Sequence, residues 1–175
     1  MASLSFPDTL PGGEGPRCLV VFFPDDEGHT ERVAAEVARR CRGAREQVRE
    51  LRTSGGLSGR MRAAWQAATR ASPPIAPPRR RPADFDLIVV GTPVWGHGPA
   101  APIRSYLREH AREFRRVAFF STGPHAGDAA VFEEMQRLSA RAPVARAALR
   151  VTRAGGELPA ETLRRFLAAL QPETA

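Results

Sequence analysis

Residues 85–107, FDLIVVGTPVWGHGPAAPIRSYL, decide how the rest of the chain is read. They open on a near-continuous apolar run, Phe85 to Gly91, interrupted only by Asp86. A run of that kind is characteristic of a strand buried on both faces, as in a parallel sheet covered by helices. A turn-rich segment follows, GTPVWGHGPAAP (91–102), and then a helix is predicted over 101–111 with Ile103, Tyr106, Leu107 and His110 on one side. Strand, loop and helix in that order make one unit of an α/β fold.

The same unit recurs on both sides of it. Upstream, CLVVFF (18–23) reads as a buried strand and PDDEGHT (24–30) as a loop. A helix then places Val33, Val37 and Cys41 on one stripe, with Ala34 and Ala38 beside them. EQVREL (46–51) reads as an edge strand, TSGGLSG (53–59) as a loop, and Met61, Trp65 and Ala68 as the apolar side of a short helix, with Trp65 in the core. SPPIAPPRRRP (72–82) is a connector, since prolines at that density cannot sit inside a helix or a central strand. Downstream, RVAFFS (116–121) is a strand, STGPHAGD (121–128) a loop and DAAVFEEMQRL (128–138) a helix. RAALRV (146–151) is a weaker last strand, and Leu163, Phe166, Leu167 and Leu170 mark the closing helix. Five strands alternating with five helices predict a three-layer α/β sandwich around a five-stranded parallel sheet, with right-handed crossovers. One domain is expected over 17–171, with a flexible Pro- and Gly-rich tail at 1–16 and a short tail at 172–175.

Composition narrows the function. The 175 residues are 42% hydrophobic, ordinary for one globular domain. No stretch reaches the ~18 apolar residues of a membrane span and no secretory signal is read at the start, so cytoplasm is expected. Cys18 and Cys41 form no ligand or redox motif and suit a reducing compartment. All 26 basic residues are arginine, with neither lysine nor asparagine in the chain, a bias that codon usage in a GC-rich genome explains. The net charge of +7 is not explained that way, and favours anionic partners: nucleotides, phosphorylated cofactors or metal chelates. The missing lysine excludes P-loop NTPases, which need Gly-Lys-Ser/Thr.

In a parallel sheet, ligands bind beyond the carboxyl ends of the strands. The three Gly/Pro/Ser/Thr/His-bearing loops at those ends are 24–30, 91–102 and 121–128. FDLIVVGTPVWGHGPAAPIRSYL and RRVAFFSTGPHAGDAAVFEEM resemble the second and third flavin-contacting loops of flavodoxin-like proteins. The family pattern is an apolar strand, then Gly-(Ser/Thr)-Pro-Val-(Trp/Tyr), and later a strand ending in Ser-Thr-Gly. The resemblance spans about residues 17–170. It implies the strand order 2-1-3-4-5 and FMN lying across the strand ends, the phosphate in 25–30 and the isoalloxazine between 92–98 and 121–127. The cofactor-binding residues so implied are Asp26, Glu27, Gly28, His29, Thr30, Thr92, Pro93, Val94, Trp95, Gly96, Ser121, Thr122, Gly123 and His125. A narrower resemblance, carried by no motif, is to flavoproteins packaged as cargo in encapsulin iron-storage compartments; no cargo-loading tail is recognised before Ala175.

The departure lies in the first loop. The family has Ser/Thr-x-Thr-Gly-x-Thr there; aligned on Gly28 and Thr30, two hydroxyl positions hold Asp25 and Glu27. A carboxylate about 6 Å from a phosphate repels it by roughly 3 kcal/mol per charge pair at an effective dielectric of about 20. Three arrangements follow: the acid side chains turn outward while backbone N–H groups and Thr30 hold the phosphate, FMN binds weakly with help from a partner subunit's arginines, or no phosphate binds. The expectation taken forward is the first. Paired acids after a first strand also resemble the Mg²⁺ pocket of response-regulator receiver domains, but those and the haloacid-dehalogenase phosphatases require a lysine.

Among single residues, Trp95 sits in a turn where an aromatic packs on a flat ring rather than in a core. His97, between Gly96 and Gly98, is the candidate proton donor, with the solvent-facing loop histidine as its alternative. Thr92, Ser121, Thr122 and Gly123 serve through backbone groups, and no Gly-x-Ser-x-Gly elbow supports hydrolase chemistry. Arg79–Arg81 read as solvated charge. The function expected is an FMN-dependent reductase that takes electrons from NAD(P)H, with the nicotinamide stacking near Trp95 and His97, and passes them to ferric iron or a quinone; a homodimer is expected. An electron shuttle to a protein partner is the alternative. A non-enzymatic, arginine-rich nucleic-acid or protein-binding module is the alternative from another class, with Trp95 its one exposed stacking aromatic.

Overall fold

The computed structural model describes residues 17–51, 72–151 and 156–171. In chain order the elements are β1 (Cys18–Phe22), α1 (His29–Arg40), β2 (Ala44–Gln47), β3 (Leu87–Trp95), β4 (Gly98–Pro99), α2 (Ala101–His110), β5 (Arg116–Thr122), α3 (Ala129–Ser139), β6 (Arg146–Leu149) and α4 (Ala160–Leu170). The helix predicted around Met61 and Trp65, the loop at 53–59 and both tails lie outside the described residues.

The three most apolar runs become neighbours. β3 pairs in parallel with β1 on one side, Cys18 to Phe22 against Leu87 to Gly91. On the other it pairs in parallel with β5, Leu87 to Pro93 against Arg116 to Thr122. A strand buried on both faces exposes no backbone to water, so pairing along both edges is what satisfies its N–H and C=O groups. β2 and β6 complete the sheet outside them in the order β2-β1-β3-β5-β6, all parallel. Counting only these five strands, that is the expected flavodoxin-like order 2-1-3-4-5.

Side chains alternate between two cores, as the period of a strand requires. Leu19, Val21, Ile88, Val90 and Phe119 pack with Ile103, Tyr106 and Leu107 of α2 and Val131 and Met135 of α3. Val20, Phe22, Val89 and Phe120 pack with Val33 and Val37 of α1 and Leu163, Phe166 and Leu170 of α4. Among the described residues, two helices therefore cover each face.

Two differences from the sequence reading bear on the edges of the sheet. The edge strand begins at Ala44 rather than Glu46, and it is short because only Ala44 and Glu46 turn inward. Glu46 is buried and accepts from Arg79 N at 2.9 Å, with the Arg80 guanidinium at 3.5 Å. The Pro-rich connector thus lies along this strand, and continues the contact at a bridge between Glu50 and Ile75. An inward charge answered by a covering segment is one way a sheet edge is closed to further pairing. The second difference is β4, which was expected to be loop. β3 runs on past Gly91 to Trp95 and turns back, pairing Val94 with Pro99 and Trp95 with Gly98.

Gly91 shows how tightly the sheet face is filled. A Cβ there would lie 1.9 Å from Cζ of Phe120, its partner on β5. Gly91→Ala is expected to cost about 1–3 kcal/mol through overpacking. Chemical denaturation measures this, and Gly91→Ala combined with Phe120→Leu is expected to recover part of the loss.

Candidate functional site

The carboxyl ends of β1, β3 and β5 are adjacent, so the loops leaving them meet on one edge of the sheet. In the first loop, Gly28 is the N-cap of α1 and has φ 73°, a left-handed conformation that glycine adopts without penalty. Nothing lies within 4 Å of where its Cβ would be, so backbone conformation rather than space asks for glycine here. A glycine N-cap brings no side-chain acceptor to the first N–H groups of the helix. Asp25 provides it from three residues upstream. Its carboxylate accepts from Thr30 N at 2.6 Å, from Thr30 Oγ1 at 2.7 Å and from His29 N at 3.2 Å.

The expectation that all three acids turn outward is therefore corrected for one of them. Asp26 and Glu27 are exposed, while Asp25 turns inward onto the helix start. His29 and Thr30 are buried, and Nδ1 of His29 lies 3.3 Å from Asp25 and 3.4 Å from Glu27. Thr30 Oγ1 is also 2.7 Å from Thr122 Oγ1, at the end of β5. An ionised carboxylate only accepts, so the Thr30 hydroxyl proton points to Asp25 and the Thr122 hydroxyl donates to Thr30. Burial raises the pKa of Asp25, but the hydrogen bonds from Thr30 and His29 outweigh it and hold the group below the ordinary value of 3.8.

The second loop is a hairpin. Buried Thr92 accepts from Ala100 N at 2.9 Å and donates to Pro93 O at 2.8 Å, closing its base. Gly96 at the tip has φ 63°. Trp95 is half-buried and meets Phe23 edge-on, with ring centroids 5.4 Å apart. Beneath the returning strand lies the ion pair of Arg104 and Glu134, with Nε to Oε1 at 2.9 Å and only 2% of the Arg104 side chain exposed. A Cβ on Gly98 would fall 2.6 Å from Arg104 Nη2, so the hairpin backbone rests on that pair.

In the third loop Ser121 donates to Ala126 O at 2.5 Å, and Gly123 has φ 105°. The Ser121 hydroxyl is thus spent on its own loop. His125 is exposed. Asp128 caps α3 by accepting from Ala130 N at 3.0 Å, and also binds Nδ1 of His97 at 2.9 Å. Its pKa is lowered, first by His97 and then by the Ala130 amide. Asp128 was not singled out from the sequence as a site residue. Its position ahead of an apolar helical run marks a cap, but nothing local names His97 as its partner.

The edge therefore brings together Gly28, His29, Thr30, Thr92, Pro93, Val94, Trp95, Gly96, His97, Ser121, Thr122, Gly123 and His125. Asp26 and Glu27 are exposed at its rim, with the Glu27 carboxylate reaching His29. Among the described residues no group of three or more His, Cys, Asp or Glu is placed to hold a metal ion, and no helix is long and apolar enough to cross a membrane.

Solved structures that share this fold include flavoproteins. A flavoprotein from Lactobacillus acidophilus, crystallised with FMN, superposes with a TM-score of 0.63 at 17% identity, over 86% of this chain and 98% of the other. Proteins assigned as flavoproteins from Bacteroides eggerthii and Bacteroides uniformis give TM-scores of 0.67 and 0.66 at 14% and 17% identity. They cover 87% and 89% of this chain, and 96% and 99% of their own. The fold is flavodoxin-like. No protein-family model matches the chain, and no curated protein sequence does.

Tested against a flavin mononucleotide, the flavodoxin-like edge divides in two. The hairpin and the β5 loop offer backbone, two positive-φ glycines and the half-buried Trp95, a setting that fits a flat ring. At the start of α1, His29 N, Thr30 N and the Thr30 hydroxyl already serve Asp25, and a phosphate end does not fit there as built.

Asp25→Ala is expected to lower stability by about 1 kcal/mol at pH 7, the scale of a lost helix cap. Because the folded pKa is depressed, this contribution is present above the unfolded value near 3.8 and disappears as pH falls through the folded one. Urea unfolding of both proteins at pH 7 and at strongly acid pH is expected to show the difference shrink.

Proposed function

We propose that the protein is a flavin-dependent oxidoreductase that takes electrons from NAD(P)H and delivers them to a small acceptor such as a ferric chelate or a quinone. The observation that carries this is the β3 hairpin tied to the β5 loop by His97 and Asp128 over the carboxyl edge of a flavodoxin-like sheet. FMN is the flavin held by the Lactobacillus acidophilus neighbour. A bound flavin supplies hydride acceptance and one- or two-electron release.

The chain supplies position and protons. Trp95, braced by Phe23, offers aromatic surface beside the ring site. The carboxylate of Asp128 selects the His97 tautomer with hydrogen on Nδ1, which leaves Nε2 as the atom that takes up or gives a proton. His97 is 91% exposed, so that nitrogen is in reach of a diffusing acceptor. The surplus of positive charge, +7, draws nicotinamide phosphates and anionic chelates to the surface.

Flavin titration followed by NADH and NADPH oxidation, with ferric citrate or a quinone, tests the reading. Trp95→Ala is expected to weaken flavin binding about tenfold, as loss of an aromatic contact does. His97→Gln is expected to lower kcat with a quinone by about 10²-fold, the low end of general acid catalysis, and Asp128→Asn by less. Bound flavin without NAD(P)H oxidation on any acceptor shows an electron shuttle instead.

A further inference from the structure

We infer that the anion cradle at the start of α1 is filled by the chain's own Asp25, and that the site consequently receives a flavin of the riboflavin class, without a phosphate. The inference rests on the flavin reading above and names which flavin that site takes.

Three donors converge on the carboxylate: Thr30 N at 2.6 Å, Thr30 Oγ1 at 2.7 Å and His29 N at 3.2 Å. The first N–H groups of a helix, aided by its dipole, are what makes such a loop bind a phosphate, and here an internal anion already takes two of them, those of His29 and Thr30. The hydroxyl donor is not free to turn elsewhere. Thr30 is fully buried, and its oxygen also accepts from Thr122, so its proton is committed toward Asp25. The surroundings offer an incoming phosphate little in exchange. Asp26 and Glu27 add negative charge at the mouth, and Arg32, in the first turn of α1, donates to Gly156 O at 2.9 Å. A phosphate entering the cradle must expel Asp25 and then share the loop with it. The ring platform formed by the hairpin and the β5 loop makes no use of these donors, so a flavin ring and its ribityl chain are accepted while the terminal phosphate is not.

Titration of the whole protein with riboflavin and with FMN, followed by flavin fluorescence, reads the preference. The expected result is riboflavin binding at least as tightly as FMN, and a shift toward FMN of about tenfold or more in Asp25→Ser and Asp25→Asn, which remove the charge. A wild-type preference for FMN of about tenfold or more overturns the inference. A second measurement stands apart from flavin: the Thr30 amide followed by NMR during addition of inorganic phosphate. It is expected to stay unmoved in the wild-type chain and to shift in Asp25→Ser. A shift in the wild type shows the cradle open and overturns the inference. If neither flavin binds, the flavin reading falls and the riboflavin assignment with it, while the phosphate titration still decides whether Asp25 fills the cradle.

Discussion

Backbone pairing along both edges of β3 is the constraint from which the rest of the molecule follows. A strand with Leu87, Ile88, Val89 and Val90 all at 2% exposure or less has no water to bond to, so it must lie between two others. The partners are β1 and β5, running the same way. Parallel direction puts all three carboxyl ends on one edge, and the loops that follow have nowhere to go but past one another. The close fit of Gly91 beneath Phe120 keeps those strands in register.

Once assembled, the edge is held by ties between segments distant in sequence. Thr30 and Thr122 join the first helix to the last central strand, and His97 and Asp128 join hairpin to loop. The hairpin rests on Arg104 and Glu134. A pair this deeply buried adds little net stability, but removing one partner leaves an uncompensated charge and is strongly destabilising. Its value lies in fixing where Gly98 can sit, and hence the direction in which Trp95 and His97 are presented.

Much of this could be read from the chain before the structure, and the reasons for success and failure are physical. Apolar runs as long as 18–23, 85–91 and 116–121 have few fates besides a buried strand, and the stripes through Val33 and Leu163 have few besides a covering helix. β4 was not legible because two residues, Gly98 and Pro99, carry no strand propensity; tertiary contacts make that strand, through Thr92 and the ion pair below. The edge strand starts two residues and ends four residues earlier than expected because four residues with alternating burial leave a weak pattern, and because Glu46 is a charge that turns inward. The three acids of the first loop look alike in sequence. Which one turns in depends on the left-handed turn at Gly28, a dihedral that no composition rule reveals.

The hydroxyl chain from Thr122 through Thr30 to Asp25 carries a consequence for how the first loop is ordered. A loop that relies on a ligand's phosphate to engage its helix N–H groups must give up conformational entropy each time the ligand arrives. This loop gives it up during folding, since its acceptor is covalently part of it. The start of α1 is thus ordered by contacts within the chain itself.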